Sequence, residues 1–178
     1  MSQALERVRQ AAKRGRKEKF TALAHHLTPA MLRTAFLALK RDAAPGVDGL
    51  TWRAFEADLD PRIEGLHAKV QGGGYRAQPS RQRLIPKADG GQRPLAIAAL
   101  EDKIVQRATA SVLEAIYEEE FLGFSYGFRP GRGAHDALDA LIVGIETTKV
   151  NFILDADIRS FLDAASHCPR FIDWVQRA

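Results

Sequence analysis

Three carboxylates in the last quarter of the chain, Asp155, Asp157 and Asp163, are the residues with the clearest capacity for chemistry. Asp155 and Asp157 sit in the apolar run Asn151-Phe152-Ile153-Leu154-Asp155-Ala156-Asp157-Ile158, whose composition predicts a strand. The two-residue period of a strand would put both carboxylates on one face. Such groups are costly unless exposed, paired or bound to a cation. A hard divalent ion such as Mg²⁺ would satisfy them, with substrate phosphates completing its shell. The structural alternative has Asp163 capping a following helix and Asp155 paired with an arginine, and for an isolated Asp-X-Asp it is the commoner arrangement.

Cations form a second group. Arg81, Arg83, Lys87 and Arg93 fall on the two arms of a predicted hairpin that carries a single acid, Asp89. A rigid ribbon fixes such charges before a triphosphate or a phosphate backbone arrives. Lysines and arginines also serve simply to keep an exposed edge from pairing with other sheets. The run Tyr126-Gly127-Phe128-Arg129-Pro130-Gly131-Arg132 mixes aromatic rings, arginines and glycines, which suits a nucleic-acid strand: rings stack, guanidiniums grip phosphates and glycines allow close approach. No Gly-Lys-Ser/Thr follows, so it is not a phosphate-cradling P-loop. It reads equally well as a helix-initiating loop with buried rings. Residues 1–19 carry seven Lys or Arg, among them Arg14, Arg16 and Lys17, against two Glu, either a contact for a polyanion or a solvated helix face. His25, His26, His67, His135 and His167 show no metal-ligand spacing, and Ser166 and Cys168 beside His167 are neighbours in sequence rather than a nucleophile and its base.

The elements that must position these residues follow from periodicity. Leu23, Leu27, Met31, Leu32, Ala35, Phe36 and Leu39 recur at helical spacing, broken into two helices at Thr28-Pro29, with Thr28 as N-cap and Pro29 in the first helical position. The turn Ala44-Pro45-Gly46-Val47-Asp48-Gly49 closes the second helix. A third is predicted from Trp52 to Val70, capped by Thr51 and ended by Gly72-Gly73-Gly74. Arg81 to Pro86 and Arg93 to Ile97 alternate as hairpin strands around Ala88-Asp89-Gly90-Gly91, and their prolines mark them as edges. Amphipathic helices are predicted from Leu100 to Glu119 and from Ala134 to about Thr147.

The 178 residues are 46% hydrophobic and 27% charged with a net charge of +4, ordinary values for a folded globular protein. The longest wholly apolar stretch is the six residues Leu95 to Leu100, and the first ten residues lack a signal-peptide core. Secretion and membrane insertion are therefore not expected. Cys168 is the only cysteine, which rules out an intramolecular disulfide and paired-thiolate zinc sites and points to a cytoplasmic protein.

Taken in order, six segments resemble the N-terminal half of bacterial group II intron-encoded reverse transcriptases, also called maturases. They are Ala44-Pro45-Gly46-Val47-Asp48-Gly49; Tyr75-Arg76-Ala77-Gln78-Pro79; Ile85-Pro86-Lys87 with Gly91-Gln92-Arg93-Pro94-Leu95; Glu101-Asp102-Lys103-Ile104-Val105-Gln106; Ser125-Tyr126-Gly127-Phe128-Arg129-Pro130-Gly131-Arg132; and Asp155-Ala156-Asp157-Ile158-Arg159-Ser160-Phe161. The resemblance implies an α+β fold, the fingers and partial palm of a right-hand polymerase. It divides into an N-terminal helical RNA-binding extension (1–43), fingers (44–150) and a truncated start of the palm (151–178). It implies RNA-directed DNA polymerase activity and a maturase role, with group II intron RNA, an RNA template with DNA primer, and dNTPs as partners. Asp157, followed by Ile158, matches the first catalytic aspartate, which helps to hold two Mg²⁺ ions. Lys87 and Arg93 match residues that grip the triphosphate, and Phe161 and Leu162 match an aromatic pair beside the nucleotide sugar. Arg14, Arg16, Lys17, Arg81, Arg83, Tyr126, Arg129 and Arg132 are the expected nucleic-acid contacts.

The sequence departs from the family at Ala96, where Gly is usual, at Leu162, where Phe is usual, and at Ala165-Ser166-His167, where the family has Ile-Asp-His. The Tyr-Ala-Asp-Asp hairpin that supplies the other metal-binding carboxylate does not occur. The expectation is a truncated or degenerate polymerase, inactive alone, working if at all with a C-terminal half supplied separately. The alternative is a non-catalytic RNA-binding remnant.

Overall fold

Phe36, Phe55, Leu32, Leu66 and Ile104 are shut off from solvent, and the architecture is best followed outward from them. The computed structural model describes residues 3–15, 20–86, 88 and 90–157. Among these are six α-helices and one antiparallel hairpin: α1 (Gln3–Arg14), α2 (Pro29–Leu37), α3 (Trp52–Glu56), α4 (Leu59–Gln71), β1 (Arg81–Pro86), β2 (Gln92–Ile97), α5 (Leu100–Tyr117) and α6 (Ala134–Thr147). The fold is α+β.

Residues of both 1–43 and 44–150 build one core. Leu5, Val8 and Ala12 recur on one face of α1 and are buried, with α1 lying on α5. Helix α5 answers with Ile104, Ala108, Val112, Ala115 and Ile116, and α2 packs on both α5 and α4. An aromatic cluster closes the far end. Phe36 stacks on Trp52 with ring centres 4.6 Å apart and meets Phe55 at 5.1 Å. Contacts of this kind add about 0.5–1.5 kcal/mol each beyond area burial. The indole N–H of Trp52 donates to the Phe36 carbonyl at 3.2 Å, so its polar edge is satisfied inside the core.

Local signals act where the sequence places them. Thr28 Oγ1 accepts from the Met31 N–H at 3.3 Å with Pro29 opening α2, and Thr51 Oγ1 accepts from the Ala54 N–H at 3.2 Å. The triglycine follows α4, with Gly73 at φ +68°. The hairpin pairs Arg81 with Ile97, Arg83 with Leu95 and Ile85 with Arg93.

Several expectations are corrected. The helix predicted from Trp52 to Val70 is two helices. Pro61 has no N–H for the Ala57 carbonyl and would clash with it, so the helix stops at Glu56 and restarts with Pro61 in its first turn. Helix α2 ends at Leu37, before the Ala44 turn, and α5 ends at Tyr117. Leu23 and Leu27 flank a single 3₁₀ turn, Ala24–His26, rather than lying on a helix. Residues 151–157 form no strand. A strand is defined by its ladder, and no other strand among the described residues lies beside them. Phe152 and Leu154 are thereby more than 90% exposed. Helix α6 buries none of its residues, although Leu138, Leu141, Ile142 and Val143 are apolar.

Gly46 is where loop and helix come closest. A Cβ there would lie 2.5 Å from Ala99 Cα and 2.9 Å from the Ala98 carbonyl carbon, both backbone atoms that cannot swing aside. Gly46→Ala is expected to destabilise the chain by about 1–3 kcal/mol, read from the urea unfolding midpoint. Gly65→Ala, with open space around it, is the control.

Candidate nucleic-acid interface

Pairing register decides what the hairpin presents. Residues directly opposite one another share a face, so Arg81, Arg83, Ile85, Arg93, Leu95 and Ile97 lie on one side and Gln82, Leu84, Pro86, Gln92, Pro94 and Ala96 on the other. All three described arginines of the ribbon therefore stand together, exposed, and none pairs with an acid among the described residues. Lys87, expected beside them, lies outside the described residues.

Among the described residues, the hairpin is moored at its base. Ile97 is buried and runs through Ala98 and Ala99 into α5. Ahead of β1, the Tyr75 hydroxyl donates to Asp102 Oδ1, and the Gln78 N–H donates to Asp102 Oδ2 at 3.0 Å. Burial, followed by the hydrogen bond to the Asp102 carboxylate, pushes the Tyr75 phenol above its ordinary range. Tyr75 and Asp102 each lie in a segment that the sequence marks, but their contact does not show there, because it joins residues 27 apart.

The loop from 121 to 133 inverts the expectation placed on it. Arg129, expected to contact nucleic acid, is buried. Its Nε and one terminal nitrogen donate to the two Glu118 oxygens, both at 3.0 Å, and the other terminal nitrogen donates to the carbonyls of Leu122 at 3.1 Å and Ser125 at 2.8 Å. Its guanidinium also covers the Phe121 ring at 4.8 Å. With its donors spent inside the loop, Arg129 holds the loop's shape and presents no grip to a phosphate. Of the two rings in the run, Phe128 is fully exposed and Tyr126 half-buried, and Phe124 just ahead of it is 76% exposed. Phe128 has φ +56°, a strained setting for a bulky side chain. Arg132 reaches the Gly123 carbonyl at 2.5 Å and lies over Tyr126 at 5.2 Å, so these two remain together on the half-buried flank of the loop.

The other expected residues are scattered. Arg14 is exposed in the last turn of α1, away from the Leu5, Val8 and Ala12 face. Arg16, Lys17, Ile158, Phe161 and Leu162 lie outside the described residues. Asp155 and Asp157 are exposed on the irregular segment 151–157, and among the described residues no three His, Cys, Asp or Glu side chains converge. A pair of carboxylates on such a segment does not by itself make a Mg²⁺ site.

Comparison with known proteins places these features in a family context. The chain is 36% identical over 134 residues to the protein YkfC of Escherichia coli K12, an alignment covering 74% of this chain and 35% of the relative. It is 29% identical over 165 residues to the group II intron-encoded protein LtrA of Lactococcus lactis subsp. cremoris, covering 92% of this chain and 27% of that protein. The chain is a relative of group II intron-encoded proteins. A 91 kDa protein in the cob intron of Schizosaccharomyces pombe adds 43% identity over 109 residues, 61% of this chain and 13% of that protein. The chain thus spans about a third or less of the length of these relatives. No family model matches it.

The Arg129 network yields an acid-sensitivity test. The hydrogen bond from Arg129 holds the Glu118 carboxyl below the ordinary glutamate value of 4.5. A depressed carboxyl contributes stability that is present above that value and lost as the pH falls through the depressed one. Arg129→Ala is expected to lower the urea midpoint at neutral pH, expose 118–132 to limited proteolysis and remove part of the acid-side fall. Urea midpoints from neutral into acid conditions, beside Arg132→Ala as the milder comparison, measure this.

Proposed function

We propose that the chain is the fingers region of a group II intron-type RNA-directed DNA polymerase, and that it binds intron or template RNA through the arginine face of its hairpin. The observation that carries this reading is the register that lines up Arg81, Arg83 and Arg93 on one exposed side of a projecting ribbon. Kinship with group II intron-encoded proteins supports the choice of RNA as the polyanion. Arg93, with Lys87, would take the triphosphate of an incoming dNTP in the complete polymerase, and Asp157 with Ile158 would belong to the Mg²⁺-binding palm alongside Phe161 and Leu162. Tyr126, Arg132 and the arginines and lysine Arg14, Arg16 and Lys17 would extend the RNA contact.

Two-metal polymerisation needs carboxylates from two strands, and the 178 residues hold Asp157 without a Tyr-Ala-Asp-Asp segment. These residues by themselves are accordingly read as RNA-binding and not polymerising.

Affinity for a structured RNA, followed by fluorescence anisotropy, is expected to fall steeply with salt. Each alanine replacement of Arg81, Arg83 or Arg93 should reduce the slope of log K against log salt by about 0.7–0.9. Absence of binding at low ionic strength would overturn the reading. In a primer-extension assay with Mg²⁺ no incorporation is expected, and robust template-dependent synthesis would refute the inactive part of it.

A further inference from the structure

The hairpin projects from the body, yet its arginine face can serve as a rigid recognition surface only if the angle of the ribbon is held. Its two strand ends are held very differently. At the end of β2, Ile97 is buried and the chain enters α5 within three residues, so this end is fixed covalently to the first turn of that helix. At the start of β1 the chain comes from Gly72-Gly73-Gly74, which closes α4 with the Gly73 N–H on the Val70 carbonyl at 3.3 Å and the Tyr75 N–H on the Lys69 carbonyl at 2.9 Å; from Arg76 to Ser80 no regular element supports it. Left alone, that end would swing about Ala98 and Ala99.

Beyond the Tyr75 backbone, what holds it is one carboxylate. Asp102, only 3% exposed, stands in the same first turn of α5 and receives both the Tyr75 hydroxyl and the Gln78 N–H. From Gln78 to Arg81 the chain runs through Pro79 and Ser80, at most about 10 Å of backbone stiffened by a fixed proline φ. The fixed point is therefore passed on to the strand with little slack. We propose that Asp102 is the positioning residue of the arginine face, mooring the free end of the hairpin to the point where its other end is already attached. The idea rests on the RNA-binding reading for its purpose, but not for its geometry.

Neighbouring groups do not compete for the carboxylate. Glu101 pairs with Lys69 at 3.2 Å, and the Lys103 ammonium donates to the Ala44 carbonyl at 2.8 Å. Asp102 touches no substrate in this scheme and acts only through Tyr75 and Gln78. Its loss should move the hairpin while leaving the helices in place.

The test uses the 178-residue chain with Cys168→Ser and pairs of spin labels on exposed sites. One pair, Gln82→Cys with Gln106→Cys, spans hairpin and body; the other, Glu64→Cys with Gln106→Cys, lies within the body. In Asp102→Ala the hairpin distance distribution is expected to widen about twofold or more, while the body distribution stays at the parental width. Tyr75→Phe removes one of the two bonds and should widen it less, and it decides the matter if Asp102→Ala does not fold. Unchanged hairpin distances overturn the proposal, and so does equal broadening of both pairs, which would make Asp102 merely structural. RNA affinity, measured separately, should fall about threefold or more in a variant whose hairpin has loosened. Parental affinity there overturns the link to recognition. Failure of the parent to bind RNA would instead defeat the functional reading and leave the label result standing on its own.

Discussion

Three consecutive side chains at the start of α5 each reach a different part of the chain. Glu101 reaches Lys69 on α4, Asp102 reaches Tyr75 and Gln78 on the linker to β1, and Lys103 reaches the Ala44 carbonyl in the turn after α2. Their weights differ. The Lys69–Glu101 pair is largely exposed and contributes little, whereas hydrogen bonds to a buried carboxylate contribute about 1.5–3 kcal/mol each. An acid in the first helical turn is also favoured by the unsatisfied N–H groups there. Gly46 completes the arrangement by letting the turn backbone lie against Ala98 and Ala99. The helix is thus both a core element, through Ile104 and Ala108, and the anchor plate of the ribbon.

The 121–133 loop shows the opposite use of charge. A guanidinium placed inside binds two loop carbonyls and the Glu118 carboxylate, while Phe124 and Phe128 face outward. Arg129 is a scaffold and Phe128 the displayed group, with its strained backbone held by that scaffold.

Features settled within a few residues were legible in the sequence. Thr28 with Pro29, Thr51, the hairpin strand 81–86 and helix 134–147 all occur where composition and spacing put them. Misplaced features required information from elsewhere. Apolar spacing across 52–70 could not outweigh Pro61, whose effect depends on which carbonyl lies four residues back. The apolar run 151–157 had the right residues for a strand but no neighbour to bond with among those described. Of the candidate site, the arginines of the hairpin were readable because alternation is local. The inversion of Arg129 and the role of Asp102 were not, since composition does not say which way a loop side chain turns or which distant segment meets a helix terminus.

Helix α1 finds its cover late. Arg9 pairs with Glu119 at 2.5 Å, and the buried face of α1 rests on α5, some 110 residues further along the chain. At ordinary rates of synthesis that separation amounts to about 5–20 s. During this interval the first helix is a basic, amphipathic segment whose apolar stripe still lacks α5 to lie on, so it is displayed well before it is secured.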